Sequence, residues 1–201
     1  SLALMRFIEY GGGTIETGKV LFHSDSVEEK NLIGETQNNM RKIRGNEIGM
    51  IFQEPMTALN PVFTISRQLT EGLRIHQGLN KTAAEKEALE LLKKVRIPEP
   101  ERRLKQYPHQ LSGGMRQRIV IAMALACKPK LLIADEPTTA LDVTIQAEIL
   151  SLLNRLKRET GAAVLFITHD MAVVAQIADR VVVMYQGEKV EEGNVDEIFN
   201  A

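Results

Sequence analysis

The sequence predicts an α/β fold in which parallel strands form a sheet that helices cover on both faces. Three apolar segments of strand length carry this prediction, at residues 131–134, 162–168 and 181–185. Between them, residues 145–156 and 171–178 place apolar side chains at the helical period. Strands that are apolar along their whole length are typical of parallel sheets, because both faces of such a sheet are buried.

The first third of the chain predicts fewer regular elements. Residues 2–8 are apolar and compatible with a helix, which the run of glycines at 11–13 ends. Strands are predicted at residues 19–23 and 47–52, with a polar stretch between them. A loop bracketed by prolines follows at residues 55–61.

A long amphipathic helix is predicted over residues 82–96. Thr82 and Glu85 have the spacing of a capping box, in which each side chain satisfies a free backbone amide at the helix start. Pro98 and Pro100 end the helix, since proline cannot continue the hydrogen-bond ladder. Its apolar face is formed by Ala88, Leu91, Leu92 and Val95.

The composition excludes some functional classes. The chain has 25 basic and 26 acidic residues, and the net charge of −1 gives no electrostatic reason to expect nucleic acid as a partner. The single cysteine, Cys127, cannot form an intrachain disulfide. No apolar run approaches the ~20 residues that a membrane-spanning helix needs, so any link to a membrane is expected to go through a partner.

Two adjacent carboxylates, Asp135 and Glu136, directly follow the apolar strand at residues 131–134. The carboxyl edge of a parallel sheet is where α/β proteins bind their ligands. Asp135 is suited to hold Mg²⁺, directly or through water, and Glu136 to orient or deprotonate an attacking water. Phosphoryl transfer needs both tasks done. The alternative is a solvated strand end that carries no chemistry.

Ser112, Gly113 and Gly114 predict the start of another helix. Glycines at a helix start let the backbone approach a ligand closely, and the free amides and the helix dipole favour a phosphate there. The alternative is that Ser112 is an ordinary N-cap. One stripe of this helix consists of Met115, Ile119, Met123 and Ala126.

Three further polar residues follow predicted strands or turns. Gln53 comes after the strand at residues 47–52 and is suited to bind Mg²⁺ or water, and His169 comes after the strand at residues 162–168. A histidine there can hydrogen-bond a phosphate or a catalytic carboxylate. Each of these two residues, taken alone, is more often structural. Asp142 is expected to cap the helix that follows it.

In the order in which they occur, these motifs resemble those of the ATP-binding cassette (ABC) ATPases. That family belongs to the P-loop NTPases and has a RecA-like core with a helical subdomain. The resemblance covers nearly the whole chain and implies a core formed by residues 1–63 and 129–201. It implies a helical subdomain at residues 64–128, and ATP and Mg²⁺ as cofactors.

The resemblance also implies a role for each motif residue. Glu136 is expected to polarise the attacking water, His169 to sense the γ-phosphate, and Asp135, with Gln53, to hold Mg²⁺. Residues 111–117 (L-S-G-G-M-R-Q) resemble the signature motif of the family. Two such domains are expected to pair, so that the signature motif of one closes over the ATP held by the other. The residues implied in nucleotide binding are Gln53, Ser112, Gly113, Gly114, Gln117 and Asp142.

A finer resemblance is to the ABC importers of oligopeptides, dipeptides and glutathione. It rests on residues 52–61 (F-Q-E-P-M-T-A-L-N-P), 107–110 (Y-P-H-Q) and 134–144 (A-D-E-P-T-T-A-L-D-V-T). It implies coupling of ATP hydrolysis to solute uptake at the cytoplasmic face of the plasma membrane. The expected partners are transmembrane permease subunits at the loop of residues 54–63, a second nucleotide-binding domain and, indirectly, a solute-binding protein.

One motif expected from the resemblance has no match. A phosphate-binding loop has the pattern G-x-x-x-x-G-K-[ST] between a strand and a helix. Residues 13–20 come near it, but Val20 replaces the hydroxyl residue and a strand is predicted to follow. We therefore expect an N-terminally truncated chain whose loop precedes residue 1. We also expect the chain as printed neither to bind ATP tightly nor to hydrolyse it.

Two alternatives stay open at this point. A soluble ABC ATPase of repair or translation shares the signature and the carboxylate pair, but has no need of the loop at residues 52–61. A non-catalytic interaction fragment has no need of Glu136 and His169.

Overall fold

The computed structural model describes residues 2–24, 27–139 and 141–199. Ser1, Asp25, Ser26, Ala140, Asn200 and Ala201 lie outside the described residues. The predicted α/β class is confirmed, with a parallel sheet and helices. No helix among the described residues is long and apolar enough to cross a membrane.

A three-stranded parallel sheet lies at the centre of the fold. Its strands are β3 (Ile48–Ile51), β4 (Leu131–Asp135) and β5 (Ala163–Ile167), in the order β3-β4-β5. All of β3 and the middle of β4 are buried, whereas β5 is partly exposed. The strands predicted in these three places are confirmed.

The strand predicted at residues 181–185 forms, but its place in the parallel sheet was predicted wrongly. It is β6 (Arg180–Tyr185), and it pairs antiparallel with β7 (Glu188–Asn194). Gln186 and Gly187 join the two strands and both have positive φ, of 48° and 85°. A two-residue turn of that kind matches the twist of an antiparallel hairpin, so it sends the chain back alongside β6.

The helix predicted at residues 2–8 is also wrong. Residues 2–6 form turns, and a 3-10 helix follows at Phe7–Gly11. Arg6 has a φ of 53°, and its side chain donates to the carbonyls of Leu32 and Glu35. A short segment without an N-cap gains little from helix formation, so these tertiary contacts determine its path.

The N-terminal region contains more regular structure than its polar sequence indicated. Strand β1 (Leu21–Ser24), predicted at residues 19–23, pairs antiparallel with β2 (Val27–Asn31), which was not predicted. Helix α1 (Gln37–Ile43) follows, and the Thr36 side chain caps it. Residues 14–20 lead into β1 and not into a helix, as predicted for the rejected phosphate-loop pattern.

The middle of the chain is helical. It contains α2 (Pro55–Ala58), within the predicted loop, α3 (Ile65–Gln77), α4 (Lys81–Lys94) and α5 (Pro100–Arg103). The predicted capping box of Thr82 and Glu85 is wrong. Asn80 is the N-cap of α4 and accepts a hydrogen bond from the Ala83 amide at 2.9 Å. An asparagine in extended conformation can cap a helix as well as threonine does, so the helix begins one residue earlier.

Helix α6 (Gly113–Leu125) begins after Ser112, as predicted, but is buried on more than one stripe. It lies directly against the sheet. A Cβ atom on Gly49 of β3 would be 2.3 Å from the Ala124 carbonyl oxygen, so only glycine permits this approach. The remaining helices are α7 (Val143–Thr160), α8 (Met171–Ile177) and α9 (Val195–Phe199).

Successive strand residues contribute to two different apolar clusters. Leu132 and Ala134 pack with α3, α4, α6 and α7 in the larger cluster, together with Ile51. Ile133 packs in a smaller cluster with Met50 and residues of the N-terminal region. Because successive side chains of a strand point to opposite faces, both faces of β3 and β4 are covered. This burial leaves the carboxyl edge of the sheet as the place where polar side chains converge.

Candidate active site at the carboxyl edge of the sheet

The register of the parallel sheet brings four predicted site residues to one edge. Ile51 of β3 pairs with Ala134 of β4, and Asp135 of β4 pairs with Ile167 of β5. Gln53 lies two residues after Ile51, Glu136 directly follows Asp135, and His169 lies two residues after Ile167. Parallel strands end on the same side, so residues far apart in sequence become neighbours.

The carboxylate of Glu136 is the centre of this group. Its Oε2 atom accepts hydrogen bonds from Gln53 Nε2 at 2.8 Å and from Thr139 Oγ1 at 3.0 Å. Its Oε1 atom lies 3.1 Å from His169 Nδ1. The Glu136 side chain is 24% exposed and that of His169 is 76% exposed. Glu136 is therefore held in place while the histidine ring faces solvent.

These contacts favour the ionised form of Glu136. The hydrogen bond from His169 is the largest cause that lowers the pKa of this carboxyl, followed by the one from Thr139, and Gln53 contributes less. Partial burial acts in the opposite direction but is outweighed. The group is thus a carboxylate at neutral pH, and a carboxylate can only accept from His169. The Nδ1 atom of His169 must carry the proton.

The backbone at Glu136 is in the left-handed region, with a φ of 45°. Its amide still donates to the Ile167 carbonyl at 2.9 Å, which extends the β4–β5 ladder by one residue. The chain then turns, and the Thr139 amide donates to the Glu136 carbonyl at 3.2 Å. A non-glycine residue in this region is uncommon, and such conformations cluster at functional sites.

Thr139 is a site residue that the sequence motifs did not single out. Its hydroxyl reaches Glu136 because the turn after β4 brings residues three apart together. The signal that could have identified it is a hydroxyl residue at that distance from the second carboxylate. In a turn, such spacing lets a hydroxyl group meet the side chain three residues earlier.

The oxygen donors at this edge fit a hard divalent cation. Asp135 is the last residue of β4 and is partly exposed, next to Glu136. Since Gln53 uses its amide nitrogen for Glu136, its amide oxygen remains to coordinate. Carboxylate and amide oxygens are ligands that Mg²⁺ accepts, usually together with water and phosphate. Among residues 2–24, 27–139 and 141–199, no cluster of three or more His, Cys, Asp or Glu could hold a metal alone.

The residues predicted to bind nucleotide through the signature motif lie at the start of α6. The Ser112 hydroxyl caps this helix by accepting from the Met115 amide at 3.3 Å, which agrees with the alternative prediction of an N-cap. Gly113 has open space where a Cβ would be, whereas Gly114 packs closely against Ile145 of α7. The two glycines therefore differ, and only the first leaves room at the helix start.

Gln117, predicted to bind nucleotide, is buried beneath the start of the loop after β4. It is 1% exposed, and its amide nitrogen donates to the carbonyl of Pro137, the residue after Glu136. Its amide oxygen is buried without a hydrogen-bond partner. The predicted contact of Gln117 with nucleotide stays a prediction. The observed contact ties α6 to the loop that carries the carboxylate.

Asp142 has the capping role that the sequence predicted. Its Oδ1 atom accepts from the Ile145 amide at 2.9 Å, in the first turn of α7. Because Ile145 packs against Gly114, this cap also helps to hold the first turn of α7 against the start of α6. The predicted contribution of Asp142 to nucleotide binding stays a prediction.

Residues 4–139 match the model of the family described as ABC transporter. The curated relatives include glutathione import ATP-binding proteins. The one from Pectobacterium atrosepticum is 58% identical over all 201 residues, and the one from Salmonella typhi is 57% identical. The chain spans about a third of the length of these relatives, since it covers 32% of each.

Solved structures of ATP-binding cassettes have the same fold. A dimeric structure of the cassette MJ0796, in a post-hydrolysis state with ADP and phosphate, has a TM-score of 0.73 and 33% identity. It covers 84% of this chain, which matches 72% of that one. The protein cbiO1 of Clostridium perfringens, part of the transporter complex cbiONQ, has a TM-score of 0.69 and 31% identity. The alignment with cbiO1 spans 81% of this chain and 61% of cbiO1.

Proposed function

This chain belongs to the ABC transporter family, and we propose that it is part of an ATPase subunit that drives the import of glutathione or small peptides. The observation that carries the proposal is the group of Gln53, Thr139 and His169 around the carboxylate of Glu136. It is supported by 58% identity to a glutathione import ATP-binding protein over the whole chain.

Glu136 is proposed to orient the water that attacks the terminal phosphate. Its lowered pKa makes it a weak base, so its main contribution is to accept a hydrogen bond from water and direct the oxygen lone pair. The bonds from Gln53 and Thr139 prevent the carboxylate from rotating away. Positioning of this kind lowers the barrier because less orientational freedom is lost on the way to the transition state.

His169 is proposed to connect this carboxylate to the γ-phosphate. Its Nδ1 atom already donates to Glu136, and the exposed ring leaves Nε2 to face a ligand. A ring that donates from both nitrogens must carry two protons. Contact of Nε2 with a phosphate oxygen would link the ligand to the Glu136 carboxylate through this one ring.

ATP and Mg²⁺ are the proposed cofactors. When bound, Mg²⁺ neutralises charge on the phosphates, and Asp135 and the amide oxygen of Gln53 are the residues that would hold it. Gly113, at the start of α6, would offer its backbone amide to a phosphate of a nucleotide that a second domain holds. The proposed ATPase is thus a dimer of nucleotide-binding domains. It also needs a phosphate loop, whose pattern residues 13–20 approach but do not match.

Membrane-spanning permease subunits are the proposed partners. The segment after Gln53, residues 54–63, would receive them at the cytoplasmic face of the membrane, and its exposed side chains are at positions 54, 57 and 60–62. This segment directly follows Gln53, whose side chain donates a hydrogen bond to Glu136. A partner that moves the segment would therefore also shift a group that holds the carboxylate.

Uptake of solute into vesicles tests the transport proposal. The full-length protein is reconstituted in liposomes with the proposed membrane subunits, and radiolabelled glutathione or a dipeptide is supplied with its solute-binding protein. We expect uptake that requires both ATP and the membrane subunits. ATP hydrolysis that is indifferent to the membrane subunits, with no uptake of either solute, would favour the soluble ABC ATPase instead.

A further inference from the structure

The backbone at Glu136 has a conformation that its own sequence does not favour. We propose that Gln117, in the second turn of α6, is a positioning residue that holds this backbone and thereby orients the Glu136 carboxylate. It does so through a hydrogen bond to the carbonyl of Pro137. The inference rests on the proposed function and adds to it a role for Gln117 that needs no contact with nucleotide.

Two features of the sequence oppose the left-handed backbone at Glu136. Its φ is 45°, in a region that residues with a Cβ atom seldom occupy. The next residue is Pro137, and a residue before proline favours the extended region. A backbone conformation of this kind persists only where the surrounding contacts hold it in place.

Hydrogen bonds on both sides of Glu136 provide these contacts. Before the turn, the Glu136 amide donates to the Ile167 carbonyl at 2.9 Å. After it, Gln117 Nε2 donates to the Pro137 carbonyl at 2.5 Å, and both residues are buried. A buried hydrogen bond is costly to break, because the freed groups are left without partners. Gln117 therefore holds the turn from outside the sheet.

The orientation of the Glu136 carboxylate depends on this turn. Thr139, two residues after Pro137, donates from its side chain to Oε2 of Glu136 at 3.0 Å and from its amide to the Glu136 carbonyl at 3.2 Å. A shift of the Pro137 carbonyl would move Thr139 as well, and its hydroxyl would lose the carboxylate. Because a displacement of about 1 Å in a catalytic group can lower a rate ~10²-fold, hydrolysis should be sensitive to Gln117.

The other end of the Gln117 amide is poorly suited to a purely stabilising role. Its Oε1 atom is buried and has no hydrogen-bond partner among the described residues. A buried acceptor without a partner lowers stability, and an apolar side chain of the same length would avoid that loss. The feature that glutamine offers here, and an apolar side chain lacks, is the donor to Pro137.

Two substitutions separate the donor of Gln117 from its bulk. Methionine has a similar length but no donor, and it also removes the acceptor that lacks a partner. Histidine keeps a nitrogen donor, Nε2, at a similar distance from the backbone. The matched control is Gln176→Met, the same change at an exposed position of α8.

Steady-state ATP hydrolysis by the full-length protein with Mg²⁺ tests the role of Gln117. We expect Gln117→Met to lower kcat about 10–100-fold and to leave KM for ATP unchanged, because the misplaced group acts on the attacking water. Gln117→His should stay within about threefold of the wild-type kcat, since it keeps the donor. The melting temperature of Gln117→Met should lie within about 3 °C of wild type, because the lost bond and the removed acceptor offset each other. Gln176→Met should behave like wild type in both measurements.

Three results would overturn the inference. The first is a wild-type kcat in Gln117→Met. The second is a kcat in Gln117→His as low as in Gln117→Met, since bulk rather than the donor would then explain the loss. The third is a loss of kcat in Gln117→Met together with a melting temperature lower by ~10 °C or more, the mark of a general loss of stability. If wild type itself hydrolyses no ATP, the proposed function fails, and the inference with it.

Discussion

Glu136 is held by side chains that come from three different connections of the chain. Gln53 follows β3, Thr139 lies in the turn after β4, and His169 follows β5. Each donates to the same carboxylate, so the three act together to keep it ionised and oriented. The proposed chemistry depends on this arrangement rather than on any one of the motifs.

Removal of His169 should raise the pKa of Glu136. In His169→Ala the largest cause of the lowered pKa is lost, so the value should move up toward the ordinary range of glutamate, and Thr139→Val should move it in the same direction by less. NMR titration of the side-chain carboxyl carbon in the full-length protein measures it. A change at His109, which stacks on Tyr107 well away in sequence from this network, is the control.

The lowered pKa of Glu136 also makes the free energy of unfolding depend on pH. Because the folded-state pKa of Glu136 is lowered, its contribution to stability is present above about 4.3, the ordinary pKa, and is lost as the pH falls further. His169→Ala should therefore lose less stability than wild type over that acid range. A pKa of Glu136 that does not move in His169→Ala would contradict the hydrogen-bond assignment.

At the scale of elements, the carboxyl end of α4 is held by arginines from two other helices. Arg118 of α6 donates to the Val95 carbonyl at 3.0 Å, and Arg155 of α7 donates to the Lys94 carbonyl at 2.5 Å. The last carbonyls of a helix have no partner within it. A cation there also interacts favourably with the negative end of the helix dipole. These contacts connect the helical region to the helix that leads from β4 to β5.

Loss of the Arg118 side chain should lower the free energy of unfolding more than loss of the charge on Glu148, its ion-pair partner. Arg118→Met leaves the Val95 carbonyl without its donor, and we expect the free energy of unfolding to fall by about 1–3 kcal/mol. Glu148 lies 2.6 Å from Arg118, but its side chain is 51% exposed, so Glu148→Gln should cost at most ~1 kcal/mol. Urea denaturation of the two variants measures the difference. Equal losses would show that the ion pair, and not the helix cap, carries the stabilisation.

At the scale of the whole molecule, the sequence predicted the parts of the fold that depend on local pattern. The apolar run that became β4 and the caps at Ser112 and Asp142 carry their signal within a few residues. The convergence of Gln53, Glu136 and His169 was predictable in outline, because the ends of parallel strands meet. Thr139 was missed because its contact depends on a turn and not on a strand end.

The parts that were missed depend on contacts between distant segments. Strand β7 is polar, so its sequence resembles a loop until β6 pairs with it. The direction of β6 was predicted wrongly because apolarity reports burial and not the partner; the turn at Gln186 and Gly187 decides it. Likewise, the path of residues 2–8 follows the contacts of Arg6 rather than helix propensity.

The central claim is that the carboxylate of Glu136 carries the hydrolysis step, and the turnover of Glu136→Gln tests it most directly. In the full-length protein with Mg²⁺ and ATP, the steady-state rate should fall by ~10²–10⁴-fold, because glutamine keeps the shape but cannot act as a carboxylate toward water. Binding of ATP, measured separately, should persist. Glu85→Gln, an exposed isosteric change on α4, should leave the rate unaltered. A Glu136→Gln variant that hydrolyses ATP at the wild-type rate would contradict the account.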